Sequence, residues 1–78
     1  DQKLFSAQEV EQIEKLLSAI DEREAMILRM RYGIGATSPL TLREIGNKLH
    51  LTRERVRQIE NEALKKLHQI IRREERYS

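Results

Sequence analysis

The segment from Thr41 to Leu67, TLREIGNKLHLTRERVRQIENEALKKL, contains two helix-length apolar patterns separated by a break of about three residues. Two helices joined by so short a break must pack closely against each other, which is the helix-turn-helix arrangement. The apolar positions that would hold the two helices together are Ile45, Leu49, Leu51, Val56 and Ile59. This spacing constrains the fold of the chain more strongly than any other feature.

Residues of the kind that begin and end helices divide the chain into four helical segments. Ser6 with Glu9 and Thr41 with Glu44 fit the capping-box pattern, in which a hydroxyl residue is followed three positions later by Glu. Thr52 is a favourable cap for the last segment. The predicted helices run from Ala7 to Ala19, from about Glu22 to Tyr32, from Thr41 to the break at His50, and from Arg53 to about Arg73.

Two residues near the break carry specific expectations. Gly46 is the small residue that would let the two helices approach closely. His50 stands in the turn, where many motifs of this kind have Gly, and a left-handed backbone there would be strained for a residue with a Cβ atom.

The composition agrees with a small all-α fold, because 36% of the residues are charged and only 4% are aromatic. We expect a four-helix domain with a C-terminal helix-turn-helix. Residues 1–20 would form an N-terminal helix or linker, and residues 21–78 a DNA-binding domain with the motif at about 41–60. The start at Asp1 suggests a piece of a longer protein.

Several kinds of site are excluded or disfavoured by the residue content. The chain has no Cys, which rules out a disulfide framework or a thiolate metal site. His50 and His68 lack metal-binding spacing, and we find no constellation typical of a catalytic nucleophile. The apolar runs are too short to span a membrane. We therefore expect no cofactor, no metal, no membrane contact and no enzymatic activity.

Positive charge is concentrated in the second half of the chain and at the start of the last helix. Residues 1–40 have five Lys/Arg and seven Asp/Glu, whereas residues 41–78 have ten and six. On a helical wheel, Glu54 and Gln58 face away from the apolar stripe, with Arg55 and Arg57 on either side of them. Arg53 lies in the first turn, where the helix dipole disfavours a cation unless an anion binds.

Duplex DNA would supply that anion. In the helix-turn-helix mode, the start of the second helix enters the major groove and contacts base edges. Arg pairs with guanine, Gln with adenine, and Glu accepts a hydrogen bond from cytosine, so Arg53, Glu54 and Gln58 are the predicted base-contacting residues. Arg55 and Arg57 suit contacts with phosphates. The alternative is a solvated charged face, in which Arg53, Arg55 and Arg57 form helical i,i+4 pairs with Glu60 and its neighbours.

The stretches REAMILRMRYGIG, from Arg23 to Gly35, and TLREIGNKLHLTRERVRQIENEALKKL closely resemble region four of bacterial primary-type sigma factors. This resemblance implies binding to the −35 promoter element within RNA polymerase holoenzyme, and docking on the flap tip of the polymerase β subunit. Beyond Leu67 the chain departs from the housekeeping pattern, as do Glu62 and His68. The choice between a housekeeping and an alternative factor therefore stays open.

The resemblance also implies roles for individual residues. It assigns base contacts to Arg53, Glu54 and Gln58. It assigns phosphate contacts to Arg23, Arg31, Thr41, Leu42 through its backbone amide, Arg55 and Arg57. It places Tyr32, Ile34 and Leu67 against the flap.

Two other functions remain as alternatives. One is an independent helix-turn-helix regulator, which would usually dimerise and read palindromes. The other is a protein-interaction module, bound by the flap, an anti-sigma factor or an activator. The favoured interpretation is a cytoplasmic promoter-recognition domain that is monomeric when isolated and binds DNA weakly without polymerase.

Overall fold

The computed structural model describes residues 5–35 and 38–77, and the side chains through residue 75. These residues form four helices: α1 (Ala7–Leu17), α2 (Glu22–Tyr32), α3 (Leu42–Leu49) and α4 (Arg53–Tyr77). The all-α fold and its four helices are thus confirmed, although part of the predicted loop, residues 36 and 37, lies outside the described residues. None of the described helices is long and apolar enough to cross a membrane.

Two predicted helix ends were wrong by a few residues. Helix α1 stops at Leu17 rather than Ala19, because the amides of Ala19 and Ile20 donate to carbonyls three residues back, at 3.1 and 3.3 Å, instead of four. Helix α4 continues to Tyr77 instead of ending near Arg73, because neither Gly nor Pro follows Arg73 to stop it.

The predicted caps are present at the starts of three helices. The amide of Glu9 donates to the Ser6 hydroxyl at 3.1 Å, and the Glu9 carboxylate accepts from the Ser6 amide at 2.9 Å. Thr41 and Glu44 make the same pair of bonds at 3.1 and 2.8 Å. At the start of α4, Thr52 accepts from the Arg55 amide at 3.1 Å. Glu44 is therefore a capping residue, as the sequence predicted.

The core consists of two clusters, and α2 and α4 contribute to both. The first cluster contains Leu17, Ala25, Leu28, Ile34 and Ala63 and joins α1 to α2 and α4. The second contains Ile27, Ile45, Val56 and Ile59 and joins α2 to α3 and α4. Helices α2 and α4 therefore form the frame, with α1 packed on one part of it and α3 on the other.

The helix-turn-helix contact depends on Gly46. Across the turn, the amide of Leu51 donates to the Gly46 carbonyl oxygen at 2.9 Å. A Cβ atom on Gly46 would lie only 2.5 Å from the Leu51 carbonyl oxygen. The predicted close approach is confirmed, and no side chain larger than hydrogen fits there without movement of the backbone.

Three ion pairs connect α2 to the helices around it. Arg29 pairs with Glu14 of α1 at 2.9 Å, and its hydrogen bonds lower the pKa of the Glu14 carboxyl below its ordinary value. The other two pairs join α2 to α4: Glu24 to Lys66 at 2.9 Å and Arg31 to Glu60 at 3.5 Å. Glu24 and Glu60 are the buried charged residues of the described chain.

The turn residue His50 adopts the left-handed conformation that would be strained for a residue with a Cβ atom, with φ 59° and ψ 42°. Among the described residues, His50 is the one residue other than Gly that has a positive φ. Because this conformation is strained for a residue with a Cβ atom, we expect His50→Gly to raise the free energy of unfolding by about 0.5–1 kcal/mol. Urea denaturation followed by circular dichroism measures this difference.

His50→Ala is the matched control, because it removes the imidazole and keeps the strained backbone with its Cβ atom. It should not stabilise the domain. A His50→Gly variant no more stable than His50→Ala would contradict the strain at this turn.

Candidate nucleic-acid interface

The first turns of α4 present a polar strip on the side opposite the core. Val56 and Ile59 are buried in the second core cluster, and the residues between and before them point outwards. The exposed side chains of this strip are those of Arg53, Glu54, Arg55, Arg57, Gln58 and Asn61. The helical-wheel prediction for α4 is thus confirmed at its N-terminal end.

Within this strip, Glu54 and Arg57 form a two-point ion pair. The Arg57 Nε donates to Glu54 Oε1 at 2.9 Å, and Nη2 donates to Oε2 at 2.6 Å. The hydrogen bond from Arg57 lowers the pKa of the Glu54 carboxyl, so this group is ionised at neutral pH. Each carboxylate oxygen can accept a second hydrogen bond. Glu54 can therefore keep Arg57 and still accept from an amino group.

A second pair in the strip is weaker. Arg55 Nη1 donates to the Gln58 side-chain oxygen at 3.4 Å, and hydrogen bonding by the Gln58 side chain makes a small contribution to the lowered pKa of Glu54. Arg53 makes no hydrogen bond or ion pair with any of the described residues, and its charge contributes to lowering the pKa of Glu54. Arg53 is accordingly the arginine of the strip with all of its N–H donors available to another molecule.

The N-terminus of α3 offers a second polar surface. The cap uses the Thr41 side chain, while Thr41 remains exposed and Leu42 is half-buried. The amides of the first helical turn, including that of Leu42, have no partner inside the helix, and they point out from its N-terminus. Such amides suit a phosphate oxygen, and the dipole of α3 favours a negative charge at the same place.

Arg31 lies beside this helix terminus. Its Nη1 donates to the carbonyl of Leu40, the residue before the Thr41 cap, at 3.0 Å. Its Nε lies 3.5 Å from Glu60 Oε2. The Arg31 side chain is 37% exposed, so the guanidinium reaches the surface while it is anchored to both α4 and the loop before α3.

The other arginine assigned to phosphate contact, Arg23, is exposed in the first turn of α2. It lies about 12 Å along the helix from Arg31, because the two are separated by more than two turns. The structure shows no contact between Arg23 and the remaining candidate residues.

The three residues assigned to the flap differ in how much surface they offer. Tyr32 is 38% exposed, and burial raises the pKa of its phenol, with Glu60 adding to that shift. Leu67 is half-buried against the first core cluster. Ile34 is only 7% exposed and is itself a member of that cluster, so it supports this surface from within rather than extending from it.

Beyond Leu67, an open groove of about 440 Å³ separates α1 from the later turns of α4. Apolar side chains line much of it, and one of them, Ile71, is 37% exposed. The residues that line the groove are Gln12, Lys15, Leu16, Ala19, Ile70, Ile71 and Glu74. The groove was not predicted from the sequence, because it depends on how α1 is placed against α4.

Glu60 was also missed as a site residue. The sequence suggested at most that Glu60 and its neighbours pair with the exposed arginines of the strip. Glu60 instead faces Arg31 of α2, and Arg57 bonds Glu54. A signal was present: on the helical wheel Glu60 lies only about 40° from Val56, inside the apolar stripe. A carboxylate in such a stripe indicates a buried polar contact.

The arrangement is suited to binding a polyanion with specific base-edge contacts. It combines one unpaired arginine, a fixed carboxylate, an amide side chain and flanking cations along one helix start. Within the described part of the chain, no cluster of three or more His, Asp or Glu residues could hold a metal ion.

Comparison with known proteins adds an independent finding. The family described as Sigma-70, region 4 matches residues 16–69. RNA polymerase sigma factor RpoD of Helicobacter pylori is 54% identical over 57 residues, which is 72% of this chain and 8% of that relative. RNA polymerase principal sigma factor HrdD of Streptomyces viridifaciens is 40% identical over 72 residues, covering 92% of this chain and 22% of that relative. The chain thus spans less than a quarter of these relatives.

Proposed function

The chain belongs to the Sigma-70 region 4 family, and from this membership we propose that it recognises the −35 promoter element as part of a sigma factor bound to RNA polymerase. In this role α4 lies in the major groove of promoter DNA during transcription initiation in the cytoplasm. The observation that carries the proposal is the exposed strip at the start of α4, where Arg53 makes no hydrogen bond with the described part of the chain. The role is one of binding rather than catalysis.

The proposed contacts divide into base and phosphate contacts. Arg53 donates to guanine, Glu54 accepts from cytosine and Gln58 pairs with adenine. Glu54 is supported in this role by its pair with Arg57, which fixes the carboxylate before DNA arrives. The residues that contact phosphates are Arg23, Arg31, Thr41, the amide of Leu42, Arg55 and Arg57.

A second surface is proposed to dock the β-flap tip of RNA polymerase. Tyr32 and Leu67 supply side chains to it, with Ile34 packed behind them. The groove beside Leu16, Ile70 and Ile71 supports this proposal, because an apolar groove suits an amphipathic helix. The same groove would also suit an anti-sigma factor or another regulator, which is the second candidate function.

We expect the isolated domain to bind a duplex with a TTGACA-type −35 element more tightly than a scrambled duplex. The base-contacting strip provides the difference, and phosphate contacts provide a term common to both duplexes. Fluorescence anisotropy with labelled duplexes across a salt series measures both terms. A preference that survives moderate salt supports base recognition.

Equal and steeply salt-dependent binding to the two duplexes would contradict the proposal. The basic strip would then be a general electrostatic surface, and protein docking through the apolar groove would be the better-supported role. Gel filtration in the same buffers tests whether the isolated domain is a monomer. A dimer that also prefers a palindromic duplex would indicate an independent regulator.

A further inference from the structure

A buried carboxylate lies on the rear of the proposed recognition helix. Glu60 is 8% exposed and lies in α4 between Gln58 and Asn61 of the exposed strip, but on the buried side of the helix. Burial of a carboxylate is costly unless charged or hydrogen-bonded groups compensate it. Arg31 provides the compensating charge, with its Nε 3.5 Å from the carboxylate, and the adjacent residue Tyr32 senses the same carboxylate, because Glu60 helps to raise the pKa of its phenol.

The hydrogen-bonding capacity of Arg31 is only partly used. Of its five N–H donors, one on Nη1 is bonded to the Leu40 carbonyl. Its Nε is buried and faces Glu60 at 3.5 Å, without the geometry of a hydrogen bond. The carboxylate therefore holds the guanidinium mainly by charge. The remaining donors, those of Nη2 and one of Nη1, have no partner among the described residues.

These remaining donors are next to the proposed phosphate site at the start of α3. The Leu40 carbonyl, to which Arg31 is anchored, directly precedes Thr41 and the outward-pointing amides of the first turn. A phosphate oxygen bound at those amides would therefore lie close to the anchored guanidinium. The guanidinium is bonded to the Leu40 carbonyl in the loop and attracted by the Glu60 carboxylate of α4, and these two interactions limit its orientation.

We infer that Glu60 is a positioning residue that fixes Arg31 for contact with the DNA backbone. The inference rests on the proposed function and deepens it, because it assigns a buried residue of the recognition helix to a phosphate contact made by α2. The contact is thereby tied to the placement of α4. Glu60 itself does not contact DNA.

If Glu60 acts only through its charge, Glu60→Gln should increase the affinity for DNA. If Glu60 positions Arg31, the same change should decrease that affinity. Removal of a negative charge from a DNA-binding domain strengthens binding to a polyanion if nothing else changes. Glu62→Gln is the matched control, since Glu62 is an exposed residue of the same helix. We expect Glu62→Gln to bind duplex DNA as tightly as the unchanged domain or tighter, and Glu60→Gln to bind more weakly.

The salt dependence of binding identifies the contact that is lost. We expect Arg31→Ala to reduce the slope of log K against log salt concentration by about 0.9, the value for one phosphate contact. Glu60→Gln should show most of that reduction, and the double variant should bind no more weakly than Arg31→Ala alone. Such non-additivity is the mark of two residues that act through one contact.

The phenol of Tyr32 reports whether the cluster is intact. In a Tyr77→Phe background Tyr32 is the single tyrosine, and its ionisation can be followed by ultraviolet absorbance. Glu60→Gln should bring the pKa of Tyr32 closer to its ordinary value. Thermal melting shows whether each variant is folded. If Glu60→Gln does not fold, Glu60→Asp takes its place in the double-mutant cycle with Arg31→Ala, because Asp keeps the charge but moves it away from Arg31.

The inference is overturned if Glu60→Gln strengthens binding as Glu62→Gln does, or if the Glu60 and Arg31 effects add independently. Phosphate contacts are independent of sequence, so the cycle can be measured on the scrambled duplex as well. Failure of the proposed −35 preference would appear as equal binding of the two duplexes by the unchanged domain. The two failures are therefore distinguishable.

Discussion

A Gly46→Ala variant should be less stable than the unchanged domain by about 1–3 kcal/mol, measured by urea or thermal unfolding. The added Cβ atom would lie 2.5 Å from the Leu51 carbonyl oxygen, and further contacts at 3.5 Å involve the backbone of Leu51 and Thr52. Because these are backbone atoms, no side-chain rotation can relieve the clash. The turn must open, which also disturbs the hydrogen bond from the Leu51 amide to Gly46.

The opposing effect is the higher helix propensity of Ala, which favours the variant by about 1 kcal/mol in α3. Asn47→Ala isolates this effect, because Asn47 is the exposed neighbour of Gly46 in the same helix. That control should be neutral or slightly stabilising. A Gly46→Ala variant that is at least as stable as Asn47→Ala would contradict the close packing of α3 against the turn.

Such a loss is large for a domain of this size. At roughly 0.05–0.15 kcal/mol per residue, the whole domain is stable by about 4–12 kcal/mol. The clash also falls between the two helices of the helix-turn-helix. Any relaxation would rotate or shift α4 relative to α3, and the strip at the start of α4 would move with it.

The sequence was sufficient to predict the parts of the fold that depend on local interactions. Capping pairs such as Thr41 with Glu44 and the break between α3 and α4 at His50 follow from residues close together in the chain, and the structure has them. The outward face of α4 follows from helical periodicity in the same way. The ends of α1 and α4 were predicted less well, since fraying and the absence of a stop residue leave weak local signals.

The contacts between helices could not be predicted, because they join residues far apart in the chain. Nothing near Glu60 in the sequence shows that its partners are Arg31 and Tyr32 at the end of α2. The same holds for the ion pair of Lys66 with Glu24, which are 42 positions apart. Burial of Ile34 depends on the packing of α1 and α4 around it. The candidate site was thus predicted as a set of surface residues, without the buried residues that hold them.

The strip at the start of α4 shows how these two levels combine. Glu54 is held by Arg57, and Gln58 by Arg55, so two candidate base-contacting side chains are oriented in the free domain. Orientation before binding reduces the conformational entropy lost on association. Arg53 has no such partner among the described residues, and it must be ordered by the DNA itself.

Arg53→Ala should therefore remove a base contact without disturbing the rest of the strip. We expect the loss of about 1–3 kcal/mol of discrimination at a single guanine position, whereas discrimination at the other positions is retained. The measurement is anisotropy with the −35 duplex and with duplexes carrying one substituted base pair at a time. Arg53 makes no hydrogen bond with the described residues, and Glu54 keeps its ion pair with Arg57 when Arg53 is truncated, so the fold should melt as before.

Arg55→Ala is the matched control, because Arg55 is an equally exposed arginine two positions later in the same helix. It should weaken binding to all duplexes and reduce the salt slope by about 1, while discrimination at the guanine read by Arg53 persists. If Arg53→Ala instead weakened specific and scrambled duplexes equally, Arg53 would be a phosphate contact like Arg55. Base recognition would then depend on Glu54 and Gln58 alone, the two side chains that the structure already holds in place.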